Sequence, residues 1–155
     1  MQFPTEKYEI ILADPPWKYD IPQTHNKGKG TGGACTHYGV MNLEQLKALP
    51  VKDIRANNCL LFMWTTGPQM HKAVALGEAW GFKYKTCVFV WEKQTKMVGH
   101  YSLSSCEFVL LFRRGNIPKP RGSRNELQFL SEKRTKRHSE KPDTIRQRIT
   151  SMFPT

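Results

Sequence analysis

Early in the chain an apolar run, Tyr8-Glu9-Ile10-Ile11-Leu12-Ala13, halts at Asp14-Pro15-Pro16-Trp17. The run has the length and side chains of a strand buried in a sheet. Two successive prolines end it, because each lacks an amide donor and fixes φ near about −65°. Each also pushes the residue before it toward extended geometry. The chain therefore has to leave its sheet through a stiff loop that holds one carboxylate at the strand's carboxyl end, with a flat indole directly behind it. In an open α/β sheet that edge is where ligands bind.

The periodicities downstream fit the same architecture. Asn42 is placed to cap a helix running to Leu49 and stopped by Pro50. Residues 59–64, Cys-Leu-Leu-Phe-Met-Trp, are apolar on both faces, as a central parallel strand is. A helix follows with Pro68 in its first turn, Met70, Ala73, Val74 and Leu76 on its inner face and Gly81 at its stop. Residues 84–91 and 106–112 read as strands and 127–130 as a short one. A final helix starts at Pro142 and places Ile145, Ile149 and Met152 on one face. Strands alternating with helices imply an α/β sheet with right-handed crossovers. With 155 residues the chain makes one domain, residues 1–155, with flexible loops at about 20–36 and 113–125.

Several classes are set aside. The apolar runs fall far short of the roughly 20 residues of a membrane span. The N-terminus has neither a basic start nor an apolar signal core, so a cytoplasmic chain is expected. Cys35, Cys59, Cys87 and Cys106 form no C-x-x-C pair, so reduced thiols are expected rather than a disulfide scaffold, and a zinc site with His37 or His138 lacks the usual paired ligands. Gly28, Gly30 and Gly33 spell G-x-G-x-x-G, but no strand precedes them and no helix follows, so they are not a dinucleotide fingerprint. Charge is more telling: the net of +11 is uneven, with 12 basic and 9 acidic side chains over residues 1–112 against 12 and 4 over 113–155. Such a field suits phosphate backbones, and the alternative is a solvated basic face.

The motifs, taken in order, resemble the mRNA adenosine methyltransferase-A family, the adenine-N6 methyltransferases with a D-P-P-W signature. The blocks are Asp14-Pro15-Pro16-Trp17, His37-Tyr38-Gly39-Val40-Met41, Leu61-Phe62-Met63-Trp64, Trp80-Gly81-Phe82-Lys83, Trp91-Glu92-Lys93, Glu107 before its strand, and His138-Ser139-Glu140-Lys141-Pro142-Asp143. The resemblance implies a Rossmann-like sheet, S-adenosylmethionine as methyl donor, and adenine in DNA or RNA as substrate, DNA before RNA. Asp14, Pro15, Pro16 and Trp17 are then the catalytic loop. The N6 lone pair of adenine is delocalised into its ring, so its N–H bonds have to be held by acceptors, here the Asp14 carboxylate and the Pro15 carbonyl. Trp17 offers a stacking wall for a base taken out of its stack.

The resemblance also puts Tyr38 on the far side of the pocket. Trp64 and Trp91 are split between pocket and core, and Glu107 between holding the base and facing a loop. Asp14, Ser139 and Lys141 are the cofactor candidates, since Lys141 before Pro142 marks a helix N-terminus whose free amides suit a carboxylate. Arg113, Arg114, Arg121 and Arg124 are the expected phosphate contacts. Relatives usually continue past this last helix into a further strand and a G-N-E/Q element, whereas this chain stops at Thr155. That leaves an expected open edge, weak binding of S-adenosylmethionine by the isolated chain, and a homodimer or second methyltransferase-like subunit to cover the edge. Two other readings compete: a non-catalytic nucleic-acid-binding homologue, and methylation of cytosine N4.

Overall fold

A computed structural model describes residues 2–18, 39–137 and 139–155. The 20–36 loop, with its glycine motif and Cys35, lies outside the described residues, as do Tyr38 and His138. Chain order is β1 (Tyr8–Ala13), α1 (Leu43–Lys47), α2 (Val51–Ile54), β2 (Arg55–Thr65), a 3-10 turn (Gly67–Gln69), α3 (Met70–Ala79), β3 (Lys83–Val98), β4 (Leu103–Arg114), β5 (Phe129–Ser131) and α4 (Asp143–Met152).

The strands form one sheet in the order β1-β2-β4-β3-β5. Strand β2 is central, but it is parallel only to β1; on its other side it runs antiparallel to β4, which runs antiparallel to β3. The fold is thus the expected α/β sheet in mixed form, and the parallel pairing expected for residues 59–64 holds only on the β1 side. A buried antiparallel strand is as apolar as a parallel one, so composition could not tell them apart. The outer edge of β1 pairs with no strand among the described residues.

Alternation along β2 explains why it is apolar on both faces. Cys59, Leu61 and Met63 face a core with Leu46 of α1, Val51 and Ile54 of α2, and Ala73 and Leu76 of α3. Leu60, Phe62 and Trp64 face a second core with Leu130, Ile145, Ile149, Met152 and Phe153. Helices therefore cover both faces, giving three layers. Among the described residues no helix is long and apolar enough to cross a membrane. Cys59, Cys87 and Cys106 are free thiols, and burial pushes Cys59 up to about 11.

Gly81 ends α3 where the sequence places the stop. Its φ of +85° lets Gly81 N–H donate to Glu78 O and Phe82 N–H to Gly77 O, a complete Schellman cap, while Arg55 occupies the space that a Cβ would need. Residues 113–125 are not the free loop that composition suggests: Arg113 and Arg114 close β4, Ile117 is buried, and Gly122 and Ser123 donate to the last carbonyls of α4. Inside α3, Gly77 packs against the Phe112 ring so closely that a methyl group would overlap it. Gly77→Val is accordingly expected to destabilise the fold by about 3 kcal/mol or more, lowering Tm by several degrees in thermal unfolding. A Tm at or above that of the unaltered chain would show that the ring yields freely.

Candidate active site

Parallel β1 and β2 bring their carboxyl ends to one edge of the sheet, and antiparallel β4 starts from that edge. Asp14, Trp64 to Thr66 and Glu107, far apart in sequence, therefore meet there. The segment leading into α4 closes the space from above. The result is a cavity of about 450 Å³ lined by Asp14, Pro15, Pro16, Trp17, Val40, Trp64, Thr65, Thr66, Glu107, Arg137, Ser139, Glu140 and Lys141. Its size is that of a small-molecule site, typically about 300–1,000 Å³.

The D-P-P-W loop is fixed by its own backbone. Trp17 N–H donates to Pro15 O at 2.8 Å, which occupies one of that carbonyl's two lone pairs and leaves the other. Met41 N–H donates to Pro16 O at 2.9 Å, tying the loop to the chain before α1. The Trp17 indole donates to Trp64 O at 3.3 Å and is only 6 % exposed. It is less an open stacking wall than a core side chain with one edge on the cavity. Trp64 is set as deeply, 3 % exposed, and it too lines the cavity, with the Lys141 ammonium 5.6 Å from its ring centroid.

The cavity's polar centre is a row of alternating charges. Lys141 Nζ donates to Glu107 Oε1 at 3.1 Å and stands 3.8 Å from Asp14 Oδ2, while Lys93 Nζ stands 3.8 Å from Glu107 Oε2. Loss of hydration against the cavity walls raises the Asp14 carboxyl above its ordinary value; Lys141 opposes that rise and Glu107 adds to it. With 46 % of its side chain still accessible, Asp14 keeps enough water to limit the effect. A carboxylate whose basicity is raised by burial suits an acceptor that has to hold an N–H.

Lys141 thus stands in a different setting from a lone cation over free helix amides. Pro142 precedes α4 in extended geometry (ψ 132°), helix residues begin at Asp143, and the ammonium is already shared by two carboxylates. Ser139 lines the cavity with φ +62°, a cost that backbones bear mainly where function requires it. Trp91 does not line the cavity. It is 2 % exposed, donates from its indole to Glu132 O at 2.8 Å and meets Trp64 edge-on at 6.0 Å, so it backs the residue that does.

The four arginines are elsewhere. Arg113 and Arg114 pair with Leu60 and Cys59, at the end of β2 away from the cavity, about 20 Å along β4 from Glu107. Arg121 is held by Glu9 at 2.7 Å near the start of β1. Arg124 follows the segment that bonds to the carboxyl end of α4. The sequence reading missed three residues: Arg137 and Thr66 line the cavity, the Thr66 Oγ1 buried without a hydrogen-bond partner among the described residues, and Lys93 stands behind Glu107. Only Lys93 carried a signal, as the third residue of the Trp91-Glu92-Lys93 block.

Residues 8–154 match the family model described as MT-A70. Across 99% of its length the chain is 46% identical to a Type II methyltransferase M.MunI from Mycoplasma sp, of which it covers 70%. It is 24% identical over 95% of its length to an Arabidopsis thaliana protein named N(6)-adenosine-methyltransferase MT-A70-like, covering 20% of that protein. A shorter stretch, 41% of the chain, is 28% identical to the human N(6)-adenine-specific methyltransferase METTL4 and covers 11% of it. No group of three or more His, Cys, Asp or Glu among the described residues could hold a metal ion.

Proposed function

Because the chain belongs to the MT-A70 family, we propose that it transfers a methyl group from S-adenosylmethionine to N6 of adenine in nucleic acid. The observation that carries this reading is Asp14 at the mouth of the cavity, beside a spare lone pair on the Pro15 carbonyl and within reach of Lys141. DNA is placed before RNA, since the identity to the plant protein named for adenosine is only 24%.

The donor set fits the cofactor. Lys141 and Ser139 would hold its methionyl carboxylate and Asp14 its ammonium, and the cavity has the volume of a nucleoside-sized ligand. Bound there, it supplies a methyl on a positively charged sulfur. The chain's own residues do the rest. Asp14 and the Pro15 carbonyl accept the two N–H bonds of the exocyclic amine and turn its lone pair toward the methyl. As the N–C bond forms and the C–S bond breaks, N6 becomes cationic and sheds a proton, which the carboxylate of Asp14 is placed to receive. Trp64 and the two prolines confine the base and exclude water. The edge of β1 that pairs with no strand among the described residues is where a second copy, or another methyltransferase-like subunit, would add a strand.

The test is transfer of a labelled methyl group to matched oligonucleotides, single and double stranded, DNA and RNA, with adenine present or replaced. Incorporation that requires adenine supports the reading. A chain that binds these oligonucleotides, neither binds S-adenosylmethionine nor transfers label, is a non-catalytic binding module.

A further inference from the structure

Strands β3 and β4 do not stop at the cavity. Past the Trp91–Glu107 pair they continue as an arm of residues 93–106 with four exposed large apolar side chains: Tyr101 at 112 % and Val98 at 94 %, the two most accessible of that kind among the described residues, then Leu103 at 61 % and Met97 at 49 %. A bulge redirects it, since Glu92 pairs with Cys106 and the next pair is Met97 with Ser104. The tip is a tight turn in which Gly99 N–H donates to Ser102 O at 3.2 Å and Ser102 N–H to His100 O at 2.8 Å; a Cβ on Gly99 would run into Ser104. Tyr101 takes φ +65°, a costly choice for a bulky residue, and the result is a ring held clear of the protein.

The arm's charge and reach say what it meets. Between Glu92 and Glu107 there is no acidic residue, while Lys93, Lys96 and His100 are basic. Its apolar tip lies about 13–20 Å beyond Glu107, which lines the cavity. A base drawn into that cavity leaves neighbours on its strand and, in a duplex, an orphaned partner. Apolar side chains wedged at such steps fill the gap.

We propose that the tip of the β3–β4 arm is a DNA contact, with Val98 and Tyr101 lodged against bases flanking the target adenine and Lys96 against a phosphate. The inference rests on the nucleic-acid reading of the cavity, though its test does not need catalysis. Dissociation constants are measured for the full chain on an adenine-containing DNA duplex, using the double variant Val98→Ser, Tyr101→Ser, with Tyr101→Trp and Lys96→Gln alongside. The double variant is expected to bind at least about tenfold more weakly. Tyr101→Trp should retain affinity, and Lys96→Gln should flatten the salt dependence. Melting temperatures are expected to stay unchanged, because these side chains are exposed. Equal affinity for the double variant overturns the proposal; equal affinity with an altered native mass assigns the arm to a protein interface instead. An unaltered chain that binds no nucleic acid overturns both readings. One that binds DNA through the arm but transfers no methyl keeps this proposal and removes only the catalytic one.

Discussion

Asp14→Ala is expected to cut methyl transfer by about a hundred- to a thousandfold or more, the usual consequence of losing a preorganised group aimed at developing charge. At about 1.4 kcal/mol per factor of ten that is roughly 3–4 kcal/mol of transition-state stabilisation. The variant should nevertheless fold. Asp14 follows β1 rather than belonging to it, its side chain is about half exposed, and its ion-pair partner among the described residues is Lys141 at 3.8 Å. A second readout comes from the same substitution. Burial raises the Asp14 carboxyl above its ordinary 3.8. The unfolded chain then loses this proton first, so the native state pays a cost that sets in as pH rises through 3.8 and persists above the raised value. Asp14→Ala removes that cost, and thermal unfolding at acid and neutral pH should show the variant gaining on the unaltered chain as pH rises. Unaltered turnover would take Asp14 out of the mechanism.

Lys141→Met should change the pH profile as well as the rate. Among the described residues Lys141 is the one cation in ion-pair contact with both Asp14 and Glu107; Lys93 stands on the far side of Glu107. Removing it leaves two carboxylates facing each other across the cavity, and the Asp14 carboxyl, which Lys141 holds down, rises further. Activity that depends on ionised Asp14 then needs a higher pH. The acid limb of kcat/KM should move upward, with at least about a tenfold loss at neutral pH, in keeping with breaking a partly buried charge pair. If Lys141 also grips the cofactor, KM for S-adenosylmethionine rises at every pH. A uniform fall with the acid limb in place would show that the lysine serves binding alone, and an unchanged profile would remove it from both roles.

The loop that carries Asp14 was legible because proline acts locally: Pro15 and Pro16 end β1 wherever the rest of the chain goes, and the structure ends β1 at Ala13. The apolar alternation of β2 and the Ile145, Ile149, Met152 face of α4 were legible for the same reason, since each element states its own burial. What could not be read locally was the neighbour of each strand. Nothing in residues 106–112 tells that they insert antiparallel between β2 and β3, and that insertion is what sets Glu107 opposite Lys141. The reach of β3 was underestimated too. Glu92 to Lys96 look like the end of a strand because they are polar, but they are an irregular stretch after which the ladder resumes, with Met97 opposite Ser104 and Val98 opposite Leu103. The face on which Trp91 points depends on the bulges between Tyr84 and Phe89, and these leave no mark in composition. The arginines were grouped by their closeness in sequence, whereas β4 and the segment after it carry them to the end of the sheet away from Asp14.

The identity of the methylated atom tests the central claim most directly. Nucleic acid treated with the chain and S-adenosylmethionine, digested to nucleosides and resolved by chromatography with mass spectrometry, should yield the nucleoside of N6-methyladenine, and the Asp14→Ala variant should yield at least about a hundredfold less. N4-methylcytosine as the product, or N6-methyladenine formed equally well without Asp14, would contradict the account.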